Sequence, residues 1–203
     1  MLIFRDPYGN MNYESMTLRV QQQYTKGLMM SLGYTLSKTI ANTAQSNTWV
    51  VGPSNALYNA NYNRGIEAND VPQRLVLSTI YDFPVGYGKR FLNHGFAATA
   101  FGGWEFSGIS VLQSGRPILI TAPDQTNLYN FISTNGRANR SHSGALASGQ
   151  TDNHWFDTSA FAVAAPFTVP TDSLTQPDLR GPRRINFDWS LIKNTKFKED
   201  RYN

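Results

Sequence analysis

The sequence predicts an all-β chain. Its antiparallel strands are apolar on one face and polar on the other, and are joined by connections that alternate between short and long. Three observations carry this expectation. Apolar residues recur with period two in five runs, the spacing at which successive side chains point to opposite faces of a strand. Charged residues are only 16% of the 203 residues and apolar residues only 40%, whereas soluble domains carry roughly 25% charged residues. The stretches between the runs range from a two-residue turn to long tracts rich in Asn, Ser, Thr and Gly.

The first two runs lie in SMTLRVQQQYTKGLMMSLGYTLSK, Ser15 to Lys38. Met16, Leu18, Val20 and Tyr24 alternate with Thr17, Arg19, Gln21 and Gln23; after Lys26-Gly27, Leu28, Met30, Leu32, Tyr34 and Leu36 alternate with Met29, Ser31, Gly33, Thr35 and Ser37. Two alternating runs around a Lys-Gly pair read as a hairpin. The third, Arg74 to Phe83, sets Leu75, Leu77, Thr79, Tyr81 and Phe83 against a mixed face. The fourth, Trp104 to Gln113, sets Trp104, Phe106, Gly108, Ser110 and Leu112 against Glu105, Ser107, Ile109, Val111 and Gln113. Pro117 to Thr121 reads as its continuation past a kink, because proline belongs at a bulge or an edge. The fifth, Ile185 to Asn194, sets Ile185, Phe187, Trp189 and Leu191 against Asn186, Asp188 and Ser190.

Between these runs, Thr39–Gln73 and Ala122–Arg183 are long polar connections, and Pro84–Gly103 is of middle length, with a small-residue patch that suits a helical turn. Structureless loops this long are uncommon in compact domains. Short turns at one end and long loops at the other are the rule in outer-membrane barrels. With the strands run alternately down and up, Tyr24, Tyr81, Phe83, Trp104 and Phe106 fall near the short-turn end, as a belt of aromatics would at a membrane interface. The competing architecture is a secreted sandwich whose aromatics face inward, binding glycans through loop aromatics such as Tyr129, Phe131 and Trp155.

Other function classes are weakly supported. The formal net charge is +4, but arginines and lysines are scattered rather than gathered on one face, so no nucleic-acid partner is expected. There is no cysteine, which removes disulfides and thiolate chemistry. No run of about 20 apolar residues encodes a membrane helix. GYGKR, Gly86 to Arg90, lacks the spacing of a phosphate loop and reads as a glycine-rich turn. His94, His142 and His154 have no partners at metal-ligand spacing, and no serine lies in a nucleophile elbow. No catalytic residue, metal or cofactor is expected.

At YTLSK, YDFPVGYGKRFL, GGWEFSGISVLQSGRPILIT, WFDTSAFA and LRGPRRINFDWSLIKNTKF the chain resembles the C-terminal barrel region of TonB-dependent outer-membrane receptors of the Oar-like, acidobacterial type. The resemblance runs in order along nearly the whole chain. It implies a partial antiparallel transmembrane β-barrel with long extracellular loops, located in the outer membrane. It also implies a plug domain and the TonB complex as partners, and import of a small solute or oligosaccharide. Against that pattern, 1–203 reads as a fragment of one barrel domain, without plug, signal peptide or final strands. The polar candidates Arg19, Gln21, Gln23, Glu105, Gln113 and Asp188 are then expected to face the lumen. Leu18, Tyr24, Leu32, Tyr34, Tyr81, Phe83, Trp104, Phe106 and Trp189 are expected to face lipid or form the belt. Tyr129, Phe131 and Trp155 are expected to meet solute on the extracellular loops.

Overall fold

In a computed structural model of the chain, the described residues are 10–42, 64–123, 125, 135–173 and 175–195. Five long strands form one antiparallel sheet: β1 (Met11–Thr25), β2 (Leu28–Ala41), β4 (Gln73–Asp82), β5 (Trp104–Gln113) and β12 (Arg184–Lys193), in the order β1-β2-β4-β5-β12. A two-residue strand, β3 (Gly65–Ile66), adds to the end of β2. The long strands follow one another in both space and sequence, an up-and-down meander, and the sheet is open. All five sequence-predicted runs are strands; β4, β5 and β12 have 10 residues each and β1 and β2 have 15 and 14, enough to supply the roughly 9–11 residues that a tilted strand needs to cross a bilayer.

The chain divides into two units, one comprising Met16–Leu36, Gln73–Gln113 and Arg183–Asn203, the other Met1–Ser15, Ser37–Pro72 and Ser114–Pro182. In the first, the β1–β2 turn has Lys26 at φ 52° and Gly27 at φ 85°. Positive φ at both central residues is the two-residue hairpin geometry that matches strand twist. The β4–β5 connection holds α1 (Gly95–Phe101), the helical turn expected from the small-residue patch. Gly86 and Gly88, both with positive φ, shape the turn before it. The Lys193 ammonium donates to the Ala100 carbonyl (2.7 Å) in the last turn of α1, where a cation complements the unsatisfied carbonyls of a helix end.

The second unit corrects two expectations. The connection after β5 is not structureless. It forms the two-residue strands β7 (Ala122–Pro123) and β8 (Asn135–Gly136), paired together, and β9 (Asn139–Arg140), which pairs with β10 (Phe161–Ala162). Pro117–Leu119 is not an extension of β5 but a separate strand, β6, laddered with β11 (Thr175–Arg180). Pro117 opens that strand, where a missing N–H is tolerated. β2 also runs beyond the alternating stretch to Ala41, because Ile40 and Ala41 pair with Ile66 and Gly65.

Candidate functional site

Register fixes which side chains share a face. Leu32 stands opposite Leu77, which stands opposite Ser110 and then Phe187. The same face carries Tyr34 beside Leu75, Tyr81 beside Phe106, and Trp189 beside Gly108. The opposite face carries Ser31 beside Ser78, Arg74 beside Gln113, Asp82 beside Glu105, and Asp188 beside Ile109. Hydroxyl pairs tie that polar face together: Ser107 to Ser190 at 2.8 Å and Thr17 to Thr35 at 3.1 Å. Arg19 and Gln21 share one face of β1, the Gln21 amide oxygen accepting from the guanidinium at 2.9 Å once turned toward it.

The apolar face is largely exposed among the described residues. Among the described residues the buried apolar side chains are six alanines and Leu179. Leu18 is 64% exposed and Trp189 63%, and Ile185, Phe187 and Leu191 are each more than half exposed. Fully burying a side chain of this size is worth about 1.5–3 kcal/mol. At 52–63% exposure, the four on β12 alone forgo roughly 3–7 kcal/mol in water, a large share of the whole stability of an ordinary domain, about 5–15 kcal/mol. A water-soluble sheet is not built this way; this face requires an apolar covering.

The aromatic candidates fall largely together. Tyr81 and Phe83 meet edge to face at 5.4 Å, Phe106 and Trp189 at 6.0 Å, and Trp104 lies under the Lys193 ammonium at 5.5 Å. Gly108 leaves the slot in which the Trp189 indole lies, since a Cβ there would come within 2.5 Å of Trp189 Cδ1. A glycine inside a strand pattern is the signal for such a close approach.

Tyr24 departs from the alternation. Its hydroxyl donates to the Asp82 carboxylate, which belongs to the polar face beside Glu105. Thr17, seven residues earlier, also lies on that face through Thr35. Strict period two would place Thr17 and Tyr24 on opposite faces, so the phase of β1 shifts once between them, as it does at a β-bulge. Tyr24 is therefore not grouped with Tyr81 and Phe106.

Of the loop aromatics, Tyr129 and Phe131 lie outside the described residues. Trp155 is half-buried, and its indole N–H donates to the Arg180 carbonyl (2.7 Å), which binds it to β11 rather than presenting it whole to a solute. Around β11 runs a polar clasp that the sequence did not disclose. Asp70, 1% exposed, accepts from Arg180 (2.8 Å) and from the Thr39 backbone N–H (2.7 Å). Gln176, fully buried, accepts from Arg140 (2.7 Å) and donates to Asp172 and to the Ser173 carbonyl. Arg140 also pairs with Asp178, and each stabilises the charged form of the other: the guanidinium titrates higher than usual and the Asp178 carboxyl lower.

His142 meets Asp157 at 3.1 Å. Asp157 also accepts from the Ser159 hydroxyl and N–H, and these bonds, led by the Ser159 hydroxyl, hold its carboxyl at about 2. The partnership caps a loop; among the described residues no group of three or more His, Cys, Asp or Glu side chains converges on one point.

The family model described as "Outer membrane beta barrel domain" matches residues 2–203. No curated protein and no solved structure matches the chain.

Proposed function

Because the chain belongs to the outer membrane beta-barrel domain family, it is an outer-membrane barrel protein, and we propose that it serves TonB-energised uptake of a solute, as part of an Oar-like receptor. In this reading the apolar face, with Leu18, Leu32, Tyr34 and Trp189, meets lipid, and Tyr81, Phe83, Trp104 and Phe106 form the interfacial belt. The polar face, with Arg19, Gln21, Glu105, Gln113 and Asp188, meets the lumen or a plug domain; Gln23, the strand neighbour of Tyr24, alternates away from it and is not assigned to that face. The apolar face left exposed among the described residues carries this reading, since lipid would supply its covering. Its partners are outer-membrane lipid, a plug domain, the TonB complex and a small solute or oligosaccharide met on the long loops. It performs no covalent chemistry, uses no cofactor and binds no nucleic acid.

The long-loop end is extracellular in this scheme, which places the Lys26-Gly27 turn and α1 on the periplasmic side. Cross-linking of energised cells that express the tagged, full-length gene product should capture TonB. Recovery of the barrel without TonB, together with solute uptake indifferent to a protonophore, would overturn the TonB assignment and leave a passive barrel.

A further inference from the structure

The polar face is not uniformly polar. At the end where the sheet gives onto the long connections, Arg74 stands opposite Gln113, and Gln113 opposite Arg184. Three side chains thus form one row across three adjacent strands, with two guanidinium groups flanking an amide. Two strand spacings separate the arginines, about 10 Å. Both are exposed, and among the described residues neither guanidinium makes a hydrogen bond or an ion pair. At the opposite end of the same face, Asp82 stands beside Glu105. The remaining carboxylate, Asp188, is four residues along β12 from Arg184 and accepts from Asn186. The face therefore runs from basic at one end to acidic at the other, where Lys89 lies 3.8 Å from Asp82, and among the described residues no carboxylate pairs with the basic row.

We infer that Arg74, Gln113 and Arg184 form an anion-binding row for a phosphate or carboxylate group of a solute in the aqueous interior. The inference rests on the proposed lumenal orientation of this face. Guanidinium groups present donors in a planar fork that matches carboxylate and phosphate oxygens, and Gln113 adds an amide donor between them. An unpaired like-charged pair gains most from an anion that bridges it. Cation-lined clefts with low-dielectric walls raise the local anion concentration and capture rate by about 10-fold or more.

The absence of cysteine from this chain permits a direct reading of local potential. The full-length protein, cysteine-free elsewhere and reconstituted in phosphatidylcholine vesicles, carries either Val111→Cys or Ser107→Cys. Both positions lie on the polar face of β5, the first next to the arginine row and the second next to Glu105. Each is reacted with a negatively and a positively charged methanethiosulfonate reagent. The anion-to-cation rate ratio should be about tenfold higher at Val111→Cys than at Ser107→Cys. R74Q/R184Q should remove that excess and leave Ser107→Cys unchanged. Inorganic phosphate should slow labelling at Val111→Cys saturably, and only with both arginines present.

Equal ratios at the two positions, or a ratio indifferent to R74Q/R184Q, would overturn the anion row while leaving the face assignment intact. Failure of both cysteines to react with either reagent would overturn the face assignment and the row with it. Protection that appears only when phosphatidylglycerol is added to the vesicles, and not with free phosphate, would give the row to lipid headgroups and overturn the solute assignment.

Discussion

Leu32 and Ser31 are neighbours in β2 whose side chains leave opposite faces of the sheet, so one substitution made at both isolates the effect of the face. Arginine at a lipid-facing midplane position of a barrel costs about 2–4 kcal/mol. In the full-length protein, Leu32→Arg should lower folding stability by about that much, whereas Ser31→Arg should be mild. Equal losses in urea titrations of the two variants would contradict the face assignment. Gly108→Ala tests the apolar face differently. The added methyl would displace the Trp189 indole from its slot and shift the emission of that tryptophan, with little change expected from Ser107→Ala. In the loop unit, Asp157 is held low by Ser159 and His142. A depressed carboxyl contributes stability that is in full force above its ordinary value near 3.8 and is lost as pH falls through about 2. Protection of the Ser159 amide against hydrogen exchange should therefore persist at pH 4 and fail only toward pH 2; its loss by pH 4 would contradict the cap. Most of the face pattern was legible because alternation is local, whereas Tyr24 was not. A single phase shift in β1 reverses every later side chain, and nothing in a run of three glutamines, Gln21 to Gln23, marks where it falls.

The turn between β1 and β2 was legible in the sequence, and its geometry says why. Gly27 has φ 85°, and a Cβ there would stand 2.8 Å from the Asp82 carbonyl oxygen. Gly27→Ala therefore combines a strained backbone with a clash against β4. Slower barrel assembly is expected, read as delayed appearance of the folded band on unheated gels, while Lys26→Asn should be tolerated because asparagine accepts positive φ. The long connections were legible only as long and polar. Their clasp joins Asp70 to Arg180 across 110 residues of sequence, and no local periodicity announces a contact of that separation. Removing one partner of a buried ion pair typically costs about 3–5 kcal/mol. Arg180→Ala should accordingly loosen this unit and expose it to protease, and Asp70→Asn should do so less, since the amide still accepts from Thr39. Protease added to intact cells should cut within the long connections and spare Lys26; cleavage at Lys26 alone would invert the topology.

Among the described residues the five long strands make an open sheet, and single-chain bacterial barrels close with about eight strands or more. An open edge in hydrocarbon leaves N–H and C=O groups unpaired at several kcal/mol each. Residues 1–203 refolded by themselves in detergent and lipid should therefore give no heat-modifiable band and no solute flux, and should instead associate through the edges of β1 and β12. If one face of this sheet meets lipid and the other water, the contrast between adjacent side chains should be sharpest along β12. Its alternation is unbroken from Arg184 to Leu191 and its side chains are all exposed. Nitroxide labels placed one at a time from Ile185 to Leu191 in the full-length protein, in bilayers, report collision rates with oxygen and with a water-soluble nickel chelate. Oxygen accessibility should peak at 185, 187, 189 and 191, and nickel accessibility at 186, 188 and 190. Equal accessibility at adjacent positions, or the same alternation with its phase reversed, would contradict the account.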